Sequence, residues 1–197
     1  MKSFPCLLFL FLVLGLPGEA FPADPAAGRE KARPCFACHG EDGNSANPRY
    51  PKLAGQLAGY IFKQTLDFKE GRRKDEIMST MIQIIPGRKD LEDIAAYFAA
   101  QPVMKGRSVN YKSAKRGRRL FRNERCVYCH EEGAKPVGPF VPGAPVIGGQ
   151  HKAYLIKAMQ DIRSGRRKGD IYDLMYKTLN RLSAKDIEDI AEFLSGL

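Results

Sequence analysis

Between Asp90 and Ala100 the apolar residues Leu91, Ile94, Ala95 and Phe98 recur at the helical period. The spacing predicts an amphipathic helix with one face in a core, ended by Gln101-Pro102. The pattern returns 96 positions later, where Asp186-Ile187-Glu188-Asp189-Ile190-Ala191 copies Asp90-Leu91-Glu92-Asp93-Ile94-Ala95. A second helix is predicted from about Gly55 to Glu70, with Leu57, Ile61 and Leu66 among its apolar positions and Gly71 as its stop. It too has a counterpart. Gly55-Gln56-Leu57-Ala58-Gly59-Tyr60 matches Gly149-Gln150-His151-Lys152-Ala153-Tyr154, Gly71-Arg72-Arg73 matches Gly165-Arg166-Arg167, and Pro51 matches Pro145, all 94 positions apart. A repeat of this length means two copies of one helical domain.

Each copy reads as a short leading helix, an irregular loop, a middle helix, a further loop and the terminal helix. In the first copy the leading helix is Ala26 to Arg33, and the loop from Gly40 to Leu53 is rich in Gly, Asn and Pro. In the second, a basic stretch from Lys105 to Arg125 is expected to be helical towards its end, where Leu120 and Phe121 face a core. His151 is expected to be exposed near the start of its helix.

The chain begins differently. Lys2 precedes Leu7 to Leu16, ten residues without a polar side chain, and Pro17, Gly18 and Ala20 follow. That is the build of an export signal at 1–20, cleaved after Ala20. A spanning helix needs roughly 20 apolar residues, so an anchor is the poorer reading. The rest divides into 21–104 and 105–197, with 105–112 as linker. Domains of this size bury only a thin core by themselves.

The chemistry lies in a five-residue stretch that each copy carries: Cys35-Phe36-Ala37-Cys38-His39 and Cys126-Val127-Tyr128-Cys129-His130. C-x-x-C-H is the attachment signal of c-type haem. The two thiols reach the vinyl groups on one porphyrin edge, and the histidine becomes the proximal iron ligand. Two covalently bound haem c groups are therefore expected, on Cys35 and Cys38 with His39, and on Cys126 and Cys129 with His130. Each haem would also supply apolar surface that a small domain lacks. A four-thiolate zinc site, a thioredoxin-like pair or two disulfides would each leave the paired histidines unexplained. Of the five cysteines, Cys6 lies in the signal and the motifs use the rest.

Methionine in the sixth iron position raises the potential and closes the iron to substrates. In the second copy Met175 stands seven residues before Leu182, whose Leu-Ser pair starts the terminal helix. In the first, Met78 follows Ile77 as Met175 follows Leu174, and lies seven residues before Ile85. Comparing the copies favours Met78, with Met81 as the alternative. Met159 reads as core, Met104 as linker, and His151 as no ligand because its counterpart is Leu57.

Charge distinguishes the copies. The chain carries +10 overall, but residues 21–104 hold twelve Lys and Arg against eleven acids, and residues 105–197 hold nineteen against ten. The second half is expected to face an acidic partner or an anionic surface. Nucleic acid, the obvious partner of a basic run, does not suit an exported haem protein.

The chain resembles the cytochrome c4 family of exported dihaem electron carriers. The resemblance covers residues 26 to 197 and rests on the two C-x-x-C-H motifs, the paired Gly-Gln…Tyr helices, the Gly-Arg-Arg turns, the methionines and the two acidic terminal helices. It implies an all-α fold of two tandem class I cytochrome c domains, each wrapped around one haem. It also implies non-enzymatic one-electron transfer in the periplasm, between respiratory or dehydrogenase partners, with peripheral membrane association open. No small-molecule substrate is expected. The dihaem subunit of flavocytochrome c sulfide dehydrogenase is similarly built, so a tightly bound electron-accepting subunit of a flavoprotein or other dehydrogenase is the second reading. A dihaem peroxidase or a thiosulfate-oxidising enzyme is the third. Two departures stand out: Glu131-Glu132-Gly133 follows the second motif, and the loop from Ala134 to Gly149 is long and proline-rich.

Overall fold

The computed structural model describes residues 22–133, 144–167 and 170–197, with backbone alone at 170–172 and 174. The expected export signal and residues 134–143 of the proline-rich loop lie outside the described residues. In the first half α1 (Pro25–Lys31), α2 (Arg33–His39), α3 (Ala58–Lys69), α4 (Met78–Met81), a 3-10 turn (Ile82–Ile84) and α5 (Arg88–Ala99) follow one another. In the second come α6 (Tyr111–Asn123), α7 (Val127–His130), α8 (Lys152–Arg163), α9 (Asp170–Leu179) and α10 (Ala184–Ser195). The only β-type pairing among the described residues is a single antiparallel bridge between Arg73 and Arg167.

The helix ends follow from local chemistry. Asp24 accepts from the backbone N–H groups of Ala26 and Ala27 and so caps α1, with Pro25 at the first position. Ser183 and Asp186 cap α10 reciprocally: the Asp186 N–H donates to the Ser183 hydroxyl and the Ser183 N–H to the Asp186 carboxylate. The basic helix α6 starts at Tyr111, earlier than its sequence suggests. Asn110 caps it by accepting from the Ser113 N–H at 3.0 Å, and Ala114, Gly117 and Phe121 form a strip that packs inward along most of its length.

Each half has its own core, and in each the leading and terminal helices cross closely: α1 with α5, and α6 with α10. Glycine makes the crossing possible. A Cβ on Gly28 would lie 2.0 Å from the Asp93 carbonyl oxygen, and one on Gly117 would lie 1.9 Å from that of Asp189. The two aspartates anchor the same crossings. Asp93 accepts from the Asp24 N–H, Lys31 and Lys89; Asp189 accepts from Arg116 and Lys185. Burial pushes both carboxyls up, but these donors outweigh it and hold them well below the usual carboxylate range.

The halves meet along a face where residues related by the repeat exchange partners. Arg73 donates to the Tyr154 hydroxyl, and Arg167 to that of Tyr60; both arginines also donate to Gln64. The Lys52 ammonium donates to the carbonyls of Lys105 and Gly149. His151 belongs to this face and is not the exposed residue its sequence suggests. It is partly buried, and its Nε2–H donates to the Ser45 carbonyl at 2.7 Å, because the start of α8 sits against the first half's loop.

Candidate functional site

Both C-x-x-C-H stretches occupy the same place in their halves, a short helix at the end of the leading segment. Cys35 to His39 lie in α2, and Cys126 caps α7, which ends on His130. Arg125, in the left-handed region at φ 64°, turns the chain out of α6 into that cap. All four motif cysteines are partly buried, and none of them is in a disulfide. Among the described residues no three His, Cys, Asp or Glu side chains converge to hold a bare metal ion.

The histidines are the informative part. His39 and His130 are 5 % and 7 % exposed. The Nδ1–H of His39 donates to the Pro51 carbonyl at 2.8 Å, and that of His130 to the Pro145 carbonyl at 3.4 Å. Burial lowers both imidazole pKa values, so the rings are neutral. With Nδ1 protonated, Nε2 carries the lone pair, and neither Nε2 has a hydrogen-bond partner among the described residues. A buried neutral imidazole with an oriented Nδ1–H and an unused Nε2 fits an iron ligand.

The methionines separate by environment. Met78 is partly buried and packs on the same first-half core as Cys35 and Phe36, whereas Met81 is 39 % exposed. Met175 is partly buried and packs on the second-half core together with Cys126 and Val127. Met159, 8 % exposed, is a core residue, and Met104 is buried under the linker with its sulfur 3.7 Å from the Gln150 side-chain nitrogen. Two residues of the site carry no role in the sequence reading: Gln56 and Gln150, whose side chains reach into the opposite half. The signal available for them was their repetition at the same register in the two Gly-Gln pairs.

Helical domains of this build, each centred on a C-x-x-C-H helix and a buried histidine, define a two-domain c-type cytochrome. The family model described as Cytochrome c matches the chain twice, at residues 26–101 and 114–197. Cytochrome c4 of Pseudomonas aeruginosa is 40% identical over 200 residues, covering 97% of this chain and 98% of the relative. Cytochrome c4 of Stutzerimonas stutzeri is 41% identical over 212 residues, covering 97% and 98%. The crystal structure of reduced recombinant cytochrome c4 from Pseudomonas stutzeri superposes with a TM-score of 0.80 at 39% identity, covering 89% of this chain and 99% of that one. The chain belongs to the cytochrome c4 family. It is a dihaem c-type electron carrier with two covalently bound haem c groups, an electron-transfer protein and not an enzyme.

Proposed function

We propose that Cys35, Cys38, His39 and Met78 hold the first haem, and Cys126, Cys129, His130 and Met175 the second, in domains spanning 21–104 and 105–197. The observation that carries this reading is the pair of buried histidines, each with Nδ1–H committed to a proline carbonyl and Nε2 without a hydrogen-bond partner among the described residues. Support for Met78 over Met81 comes from its packing on the core that also holds Cys35. When bound, haem supplies a one-electron ferrous–ferric couple. The chain's own task is to bind and orient: the cysteines fix the ring, the proline carbonyls fix the imidazole planes, and the methionines keep solutes off the irons.

The protein works in the periplasm, carrying single electrons between redox partners. Among the described residues no helix is long and apolar enough to cross a membrane. Its docking face is the outer side of α6. With Gly117 and Phe121 turned inward, Lys112, Lys115, Arg118, Arg119 and Arg122 are exposed. Arg118 and Arg122 pair with Glu132, whereas Lys112, Lys115 and Arg119 have no acidic partner among the described residues. Tyr128, next to Cys129 and 72 % exposed, lies just beyond this helix in the chain. Such a face suits an acidic protein.

The expected result is a steep salt dependence. Electron transfer to an acidic protein partner, followed by stopped flow, should slow by about tenfold as ionic strength rises from about 0.01 to 0.15 M, because the Debye length shrinks from about 30 to about 8 Å. Lys112→Glu, Lys115→Glu and Arg119→Glu together should remove most of that dependence. A flat salt response in the unmodified protein would refute this docking face.

A second reading has a specific support. A protein named thiosulfate dehydrogenase electron acceptor, from Stutzerimonas stutzeri, is 31% identical over 185 residues, covering 89% of this chain and 82% of the relative. On this reading the same docking face receives electrons from one dedicated dehydrogenase.

A further inference from the structure

The face between the two halves contains a crossed pair of glutamines, each 4 % exposed. Gln150 belongs to the second half, but its side-chain amide clasps the backbone of Lys52 in the first. Its Oε1 accepts from the Lys52 N–H at 2.9 Å and its Nε2–H donates to the Lys52 carbonyl at 2.9 Å. Gln56 of the first half does the same to Val146 of the second, at 2.8 Å in both directions. Lys52 and Val146, like the glutamines, stand 94 positions apart. The N–H groups of Leu57 and His151 donate to the same Oε1 atoms, which settles which end of each amide is oxygen.

The position of these clasps matters. The peptide group between Pro51 and Lys52 has two polar ends. Its carbonyl accepts from the Nδ1–H of His39, and its N–H donates to Gln150. The peptide between Pro145 and Val146 is engaged in the same way by His130 and Gln56. An acceptor on the N–H of an amide polarises it and makes its carbonyl a stronger acceptor. A stronger acceptor on Nδ1–H raises the basicity of Nε2, and a more basic axial nitrogen favours ferric iron.

We infer that Gln150 and Gln56 are crossed positioning residues, each lowering the reduction potential of the haem in the opposite half through one shared peptide group. This rests on the reading that His39 and His130 are the iron ligands. The coupling is stronger for the first haem, where the Nδ1 contact is 2.8 Å, than for the second, where it is 3.4 Å. It ties the poise of each haem to the docking of the two halves.

The test uses the holoprotein and spectroelectrochemical titration, with the haems told apart by their hyperfine-shifted methyl resonances in the ferric state. Gln150→Met keeps the side-chain volume and loses both hydrogen bonds to Lys52, along with the acceptor for the His151 N–H. It should raise the first haem's potential by about threefold in its reduction equilibrium, or about 28 mV at 59 mV per tenfold for one electron, and leave the second nearly unmoved. Gln56→Met should raise the second by less. Gln150→Glu, which keeps an oxygen for the Lys52 N–H, should not raise the first. A shift at the haem of the glutamine's own half, equal shifts at both, or none at either would overturn the inference. His39→Ala is measured in parallel. An unchanged first-haem spectrum there overturns the ligand assignment and the inference with it. Loss of the low-spin signal there, with unmoved potentials in the glutamine variants, overturns the inference alone.

Discussion

Replacing Met175 with leucine is expected to abolish the near-infrared methionine-to-iron charge-transfer band of one haem and leave that of the other intact. Leucine fills most of the space that methionine occupies against the second core, so the fold should survive. The iron loses a thioether that favours its ferrous form. Its potential should therefore fall by a few tenths of a volt, within the span of about 0.8 V that axial ligands command. The companion variants are Met78→Leu, which should do the same to the other haem, and Met81→Leu, which should do neither. Near-infrared spectra and potentiometric titration of the three proteins read the outcome. An unchanged spectrum in Met175→Leu would contradict that ligand, and band loss in Met81→Leu would move the first ligand from Met78 to Met81.

The second large effect is on the scaffold. Gly117→Val places branched carbons where a single Cβ already comes within 1.9 Å of the Asp189 carbonyl oxygen. Backbone cannot yield as a flexible side chain would, so α6 must move off α10. The expected loss is about 3 kcal/mol or more, which for a domain of this size lowers Tm by about 10–20 °C. Because α6 leads directly into Cys126, haem attachment to the second domain should also fall. Gly59→Ala is the control: its added Cβ meets nothing within 4 Å, and alanine suits an exposed position in α3. Thermal melts followed by circular dichroism compare the two. A Gly117→Val protein as stable as the parent would mean that the helix crossing does not carry the second domain.

Much of this architecture is legible along the chain because it is written in local patterns. The two C-x-x-C-H stretches, the helical period of Leu91 to Phe98 and its copy, and the 94-residue register of the middle helices all survive without knowledge of the fold. Comparing the copies also singles out Met78, Met81 and Met175 as candidates, and of these Met78 and Met175 pack on the two cores. What local pattern does not hold is the face between the halves. His151 looks like an exposed helix start because its counterpart is Leu57, yet it hydrogen-bonds Ser45 from 106 positions away. Gln56 and Gln150 read only as part of a repeat; their role depends on pairing with residues 90 and 98 positions distant. The early start of α6 was hidden for another reason. A run of Lys and Arg masks the Ala114, Gly117 and Phe121 strip, in which glycine marks close approach instead of a break.

On the proposed ligand sets both irons are closed, each by a histidine on one side and a methionine on the other, so that the protein passes electrons and does nothing else at the metal. Carbon monoxide added to the fully reduced protein tests this most directly. Binding should be slow at both haems, limited by the loss of Met78 or Met175 from the iron. Rapid, stoichiometric binding to one haem would show an open iron and contradict it.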